Sequence, residues 1–196
     1  MLGLILCGGK STRMGSDKGM LIKDNTPWAI LLYHLLDNIG LSVALSINKW
    51  QLQGYNPLFP PYQLITDDDS LEIGGPLKGL LSVHQRFPDA DMLVIACDMP
   101  AMDEIVLTSL MNTHQSNPEK EAIVFTNEGN PEPLCAIYTS AGLKKVMALY
   151  NQLLLPKHSL KYVLEQLNTL ETPIPNEWKQ YFTNFNSPED LRSLKV

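Results

Sequence analysis

Two apolar patterns alternate along the chain. Short, nearly unbroken runs (Leu4-Ile5-Leu6, Ser42-Val43-Ala44-Leu45-Ser46-Ile47, Tyr62-Gln63-Leu64-Ile65, Met92-Leu93-Val94-Ile95-Ala96 and Ala122-Ile123-Val124-Phe125) predict strands covered on both faces of a sheet. Between them the apolar spacing becomes helical. Trp28, Leu31, Leu32, Leu35, Leu36 and Ile39 recur on one face up to Gly40, with Thr26 as expected N-cap and Pro27 at the first helical position. Gly74-Gly75-Pro76 turns into a second helix, a third is expected over 140–150, and Ser159 is an expected N-cap for a fourth carrying Leu160, Val163, Leu164 and Leu167. Residues 132–138 read as a further strand after a turn at 127–130. Residues 181–186 read as a last strand entering the capping box Ser187-Pro188-Glu189-Asp190. The Pro-rich stretch 54–61 reads as loop. This alternation predicts an α/β fold: a three-layer, Rossmann-like domain with a mainly parallel central sheet.

The polar residues that end these strands carry the candidate chemistry, because ligands of parallel α/β sheets bind outside the carboxyl ends of the strands. The first run passes Leu6 and Cys7 into Gly8-Gly9, and the cations Lys10, Arg13 and Lys18 follow. Glycines let backbone N–H groups approach anionic oxygens, Arg13 offers a planar fork to phosphate, and Lys18 a mobile point charge. Gly9-Lys10-Ser11 is not the end of a P-loop, because position 4, where that pattern requires glycine, is Leu4. Gly8-Gly9 also lacks the spacing of a dinucleotide fingerprint. The second run ends in Asn48, suited to a base or ribose, and the third in Asp67-Asp68-Asp69, of which Asp67 is suited to the donor groups of guanine. The fourth ends in Cys97-Asp98-Met99-Pro100. A lone carboxylate there needs water or a positive partner, and Asp98 is the candidate ligand for Mg2+, which keeps several waters and takes further ligands from substrate phosphates.

Composition narrows the partners. A length of 196 residues suits one domain, 1–196, and a net charge of −6 argues against nucleic-acid binding, so the cations of the first loop stand out. Cys7, Cys97 and Cys135 are odd in number and lack a C-x-x-C pair, which indicates neither a disulfide framework nor a zinc site. No apolar run approaches a membrane span, and Met1 is followed at once by the first strand without room for a signal peptide. A cytoplasmic protein is expected.

The first loop also matches the pyrophosphorylase-type signature L-x-G-G-x-S-x-R-M-G-x-D-K, through Leu6, Gly8, Gly9, Ser11, Arg13, Met14, Gly15, Asp17 and Lys18. On this match, and on Gly75-Pro76-Leu77-Lys78-Gly79, Cys97-Asp98-Met99-Pro100, Glu132-Pro133-Leu134-Cys135-Ala136-Ile137-Tyr138 and the terminal Asn184-Phe185-Asn186-Ser187-Pro188-Glu189-Asp190-Leu191, the chain resembles the molybdenum cofactor guanylyltransferases. Cys7 replaces their usual small residue and Ser187 their usual threonine. The resemblance implies the nucleotide-diphospho-sugar transferase type of fold, and Mg2+-dependent transfer of GMP from GTP to molybdopterin-bound molybdenum cofactor with release of pyrophosphate. Molybdoenzymes or cofactor-delivery proteins would be partners. Arg13, Lys18 and Asp98 would be catalytic. Leu6, Gly8, Gly9, Lys18, Asn48, Asp67 and Asp98 would bind nucleotide, Asp98 would hold the metal, and Pro133, Asn184 and Asn186 would face the acceptor. Two alternatives stay open: a cytidylyltransferase for this or another phosphorylated acceptor, and a non-catalytic nucleotide- or cofactor-binding delivery protein.

Overall fold

The computed structural model describes residues 1–8 and 17–183. In chain order its elements are β1 (Leu2–Leu6), β2 (Ile22–Lys23), β3 (Thr26–Pro27), α1 (Trp28–Asn38), β4 (Ser42–Ile47), α2 (Leu52–Tyr55), β5 (Leu64–Thr66), α3 (Pro76–Arg86), β6 (Met92–Ala96), α4 (Glu104–Ser116), β7 (Ala122–Asn127), β8 (Asn130–Tyr138), α5 (Ser140–Asn151), α6 (Leu160–Gln166) and β9 (Thr169–Pro173). Seven strands form one sheet in the order β5-β4-β1-β6-β8-β7-β9. Only β8 runs antiparallel to its neighbours. The β1–β4, β1–β6, β4–β5 and β7–β9 pairs are parallel.

Alternation along β1 explains why an unbroken apolar run is needed at the middle of this sheet. Ile5 and Cys7 join a core with Leu32 and Leu36 of α1 and Val106, Leu107 and Leu110 of α4. Leu2, Leu4 and Leu6 point to the other face, against Leu77, Leu80 and Leu81 of α3, Leu143 and Val146 of α5, and Val163 of α6. Each strand position is thus covered, at roughly 1.5–3 kcal/mol for each fully buried aliphatic side chain. The expected three layers result. Helix α3 approaches closely, because a Cβ on Gly79 would collide with the Ser46 hydroxyl.

The differences from the sequence reading are local. Thr26 does not cap α1. It pairs with Lys23 in a two-residue hairpin turned by Asp24 and Asn25, both at positive φ, so Pro27 takes the cap position and α1 begins at Trp28. Pro60 and Pro61, just before the strand expected at 62–65, drive a short 3-10 turn at Pro61–Gln63, which delays β5 to Leu64. The expected loop 54–61 begins inside α2 and buries Tyr55 and Phe59. A polar-looking stretch forms the edge strand β9 through main-chain pairing with β7. Tyr181 and Phe182 close the 3-10 segment Asn176–Phe182 instead of opening a strand, because Phe182 packs edge-on to Phe125 and is buried there. The remainder of that expected strand and the capping box at 187–190 lie outside the described residues.

Candidate active site

Strand register builds the site. In the order of the sheet, β5, β4, β1 and β6 are adjacent and parallel, with Thr66 beside Ile47, Leu6 beside Ser46, and Leu6 beside Ala96. The residues that follow them therefore emerge in a row: Asp67, Asn48, Cys7-Gly8 and Cys97-Asp98. The chain leaves β1 toward β4 and β5, then returns to the opposite side of β1 as β6. That reversal is the topological switch point at which open α/β sheets bind ligands.

Lys18 and Asp98, eighty positions apart, meet there. The Lys18 ammonium donates to Asp98 Oδ2 at 2.8 Å, and both side chains are mostly covered, at 18% and 19% exposure. Asp98 is not a helix cap. That role belongs to Asp103, whose carboxylate accepts from the Ile105 N–H at the start of α4. Asp98 Oδ1 is buried without a hydrogen-bond partner among the described residues. A carboxylate oxygen so placed is fitted to a cation. No group of three or more His, Cys, Asp or Glu side chains among the described residues could hold one. Such a set suits Mg2+ completed by waters and substrate phosphates rather than a closed protein cage.

On the other side of β1 opens a cleft of about 580 Å³ whose lining includes Leu6, Gly8, Asn48, Trp50, Asp67 and Lys78. It brings together four of the sequence-predicted nucleotide residues. A Cβ on Gly8 would lie 3.5 Å from Asn48 Nδ2 and 3.8 Å from both Asp67 carboxylate oxygens, so any larger residue would fill the space they share. Gly75, at φ +70, lets the chain turn into α3 at the cleft wall, with Pro76 at the first helical position. Lys49 and Asp69 form an ion pair beside it. Burial raises the Asp67 carboxyl above its ordinary value, with Lys78 opposing and Asp69 adding to the shift. A wider groove of about 800 Å³ along α4, lined by residues such as Ile105, Asn112 and Trp178, contains none of the strand-end residues.

Sequence reading missed Trp50, which is 60% exposed and lines the cleft, and missed a buried polar cluster behind it. Asp17 caps the 3-10 turn Lys18–Met20 by accepting from the Gly19 N–H at 3.0 Å, and also accepts from Gln51 and Tyr55. Gln51 and Asn48 form a reciprocal capping box. The spacing Asn48-x-x-Gln51 was the available signal for it. The thiols nearby are poor nucleophiles: a hydrogen bond with Cys7, then burial, pushes Cys97 well above the ordinary thiol value, and burial raises Cys135.

On the far side of Asp98, the register of Cys135 with Ile95 places Glu132 and Pro133 of β8 beyond the end of β6. The Pro133 carbonyl accepts from the Tyr138 hydroxyl at 2.9 Å, and burial raises the Glu132 carboxyl, with Lys161 opposing. Pro133 is thus separate from the nucleotide cleft. Gly9, Arg13, Asn184 and Asn186 lie outside the described residues.

The sequence and the fold have known counterparts. The chain is 34% identical over 132 residues to a molybdenum cofactor biosynthesis bifunctional protein of Synechocystis, a match covering 61% of this chain and only 37% of that protein's length. It is 29% identical over 192 residues to a probable molybdenum cofactor guanylyltransferase of Methanothermobacter thermautotrophicus, covering 96% and 95% of the two chains. Its fold superposes on the molybdopterin-guanine dinucleotide biosynthesis protein A of Archaeoglobus fulgidus with a TM-score of 0.79, at 20% identity, over 100% of this chain and 97% of the other. Residues 3–170 match the MobA-like NTP transferase domain, from the first strand to the start of β9, and the chain belongs to that family.

Proposed function

We propose that the chain is a Mg2+-dependent guanylyltransferase that moves GMP from GTP to the terminal phosphate of molybdopterin-bound molybdenum cofactor. The observation that carries this reading is the Lys18–Asp98 pair at the switch point, one side of which is a nucleotide-sized cleft and the other the β8 rim. The family match and the names of the relatives support the acceptor. Among the described residues no helix is long and apolar enough to cross a membrane, and a cytoplasmic location is part of this proposal.

In this reading the base enters beside Trp50 and the Asp67 carboxylate accepts from the guanine N1–H and N2–H donors. Cytosine offers a carboxylate one exocyclic amino group and no adjacent ring N–H. The Asn48 amide holds the nucleoside, and the backbone at Gly8 and Gly9 receives phosphate oxygens. An acceptor phosphate oxygen, from the Pro133 side with Asn184 and Asn186, attacks the donor α-phosphorus in line. A new P–O–P link forms, the α–β bridge breaks, and pyrophosphate departs with the electron pair. Arg13 and Lys18 stabilise charge on the leaving group, and the protein's contribution is alignment and electrostatics. Asp98 would hold Mg2+, which supplies charge neutralisation at the phosphates.

Comparing GTP with CTP as donor in a pyrophosphate-release assay with purified molybdenum cofactor tests the reading. Release with GTP exceeding that with CTP is expected. CTP preference establishes the cytidylyltransferase, and binding without release establishes a delivery protein.

Asp67 gives the reading a pH signature. Its carboxyl, faced by Lys78 and Asp69, is raised by burial, so acidification through that raised value protonates the acceptor, and KM for GTP should climb there. For folding the sign is opposite. A carboxyl raised on folding favours the native state below its ordinary value, and that contribution is lost as pH rises through the raised one. Asp67→Asn should therefore flatten the acidic limb of KM and raise the thermal midpoint at neutral pH. An unchanged limb would remove Asp67 from base recognition.

A further inference from the structure

Cys7 and Asp17 bracket the segment that carries Gly9 and Arg13, and both are hydrogen-bonded to one side chain. Gln51 is 3% exposed. Its Nε2 donates to the Cys7 carbonyl at 3.1 Å and to Asp17 Oδ2 at 2.7 Å, and its Oε1 accepts the Asn48 N–H at 2.7 Å. Both amide hydrogens and the carbonyl are engaged. Asp17 Oδ1 in turn accepts from the Tyr55 hydroxyl at 3.1 Å and from the Gly19 N–H at 3.0 Å, next to Lys18.

We propose that Gln51 is a positioning residue for nucleotidyl transfer, stapling the entry and exit of the phosphate-binding segment to the nucleoside-binding end of β4 and setting Lys18 through Asp17. The proposal rests on the functional reading above. Its physical basis is that a buried amide is tolerated only when its polar atoms are satisfied, and here Nε2 is satisfied by two residues distant in sequence, Cys7 and Asp17, while Oε1 is satisfied within its own turn by Asn48. Capping the short turn Lys49–Gln51 requires only the Asn48 contact. The two bonds of Nε2 serve nothing in that turn. They fix the distance between Cys7 and Asp17, and so the frame from which Gly8 and Lys18 reach a triphosphate.

A charge exchange separates positioning from bulk stability. Gln51→Glu keeps the side chain's size and its acceptor for the Asn48 N–H, but sets a carboxylate against Asp17. Adding Asp17→Asn places an amide donor opposite that carboxylate and keeps an acceptor for Tyr55 and Gly19. In the full chain, Gln51→Glu should retain the wild-type circular dichroism, lower kcat with GTP by roughly 30- to 100-fold, as sub-ångström to ångström misplacement does, and leave KM for GTP nearly unchanged. The double variant should recover at least about a tenth of wild-type kcat. Amide hydrogen exchange without nucleotide supplies a readout independent of turnover: the Gly19 N–H should exchange faster in Gln51→Glu while the Asn48 N–H stays protected, and Asp17→Asn should restore Gly19. A folded Gln51→Glu with kcat within twofold of wild type, or a double variant that recovers neither readout, overturns the positioning role. Wild-type protein that turns over neither GTP nor CTP overturns the functional reading itself, whatever the exchange pattern.

Discussion

Lys18→Ala should lower kcat by ~10²–10³-fold, the loss typical of removing one preorganised charge from a phosphoryl-transfer transition state, with the chain still folded. Lys18 sits on the short turn Lys18–Met20, whose cap is the Asp17 carboxylate rather than its own side chain, so truncating it leaves the turn's N–H contact to Asp17 in place. What is lost is the ammonium at 2.8 Å from Asp98, at the end of β6 where phosphates are proposed to lie. Here the ammonium is paired with one oxygen of that carboxylate, Oδ2. With nucleotide bound, the lysine has a second anion to serve, and a flexible four-carbon stem lets it do so. Lys18→Arg should not restore the rate, because a planar fork cannot replace a point charge held in so covered a site. Single-turnover kinetics check this: the chemical step should slow in both variants while GTP affinity, measured by calorimetry, falls far less. A Lys18→Ala enzyme within tenfold of wild type would remove Lys18 from the reacting centre.

How much of this was legible in the sequence depends on the range of the interaction concerned. Buried strands announce themselves, because β1 and β6 are buried along their whole length, and β4 from Val43 onward with Ser46 its one buried polar position, so their residues must be almost all apolar. The residues after them were readable as ligand-facing because a parallel sheet delivers its strand ends to one rim. The Lys18–Asp98 pair is different. Each partner was recognisable, but their contact depends on β6 lying next to β1 in a register that aligns Leu6 with Ala96, which no local pattern encodes. Edge strand β9 was hidden for a related reason: Glu171 and Pro173 are residue types depleted in strands, and main-chain pairing with β7 holds the segment. Thr26-Pro27 misled in the opposite sense. The dipeptide has the composition of a helix start, but Asp24 and Asn25 accept positive φ and fold it back against Lys23 first. Gln51 was the least readable of all, since a lone glutamine in a polar stretch looks solvated until tertiary structure buries it.

Asp98→Asn should reduce turnover by at least ~10³-fold, more than a change proposed at any other residue, and should do so without unfolding the protein. The substitution keeps volume and leaves an amide oxygen able to accept from Lys18, so the 2.8 Å contact has a neutral substitute. Only charge is removed. Two functions depend on that charge: holding the ammonium in place before nucleotide arrives, and offering Oδ1, buried and without a hydrogen-bond partner among the described residues, to a divalent cation. The second can be read without catalysis. For the wild-type protein with GTP, adding Mg2+ should raise the thermal midpoint, because a ligand that binds only the native state stabilises it by mass action. In Asp98→Asn that increment should vanish while a metal-independent shift from GTP persists, since Trp50, Asp67 and Asn48 are untouched. Asp98→Ala should lose turnover equally but also some stability, because Lys18 would then be left covered without its carboxylate. A Mg2+-dependent shift of wild-type size in Asp98→Asn would move the metal elsewhere and reduce Asp98 to a partner for Lys18. Loss of the shift together with loss of turnover would place metal, lysine and leaving group around one carboxylate.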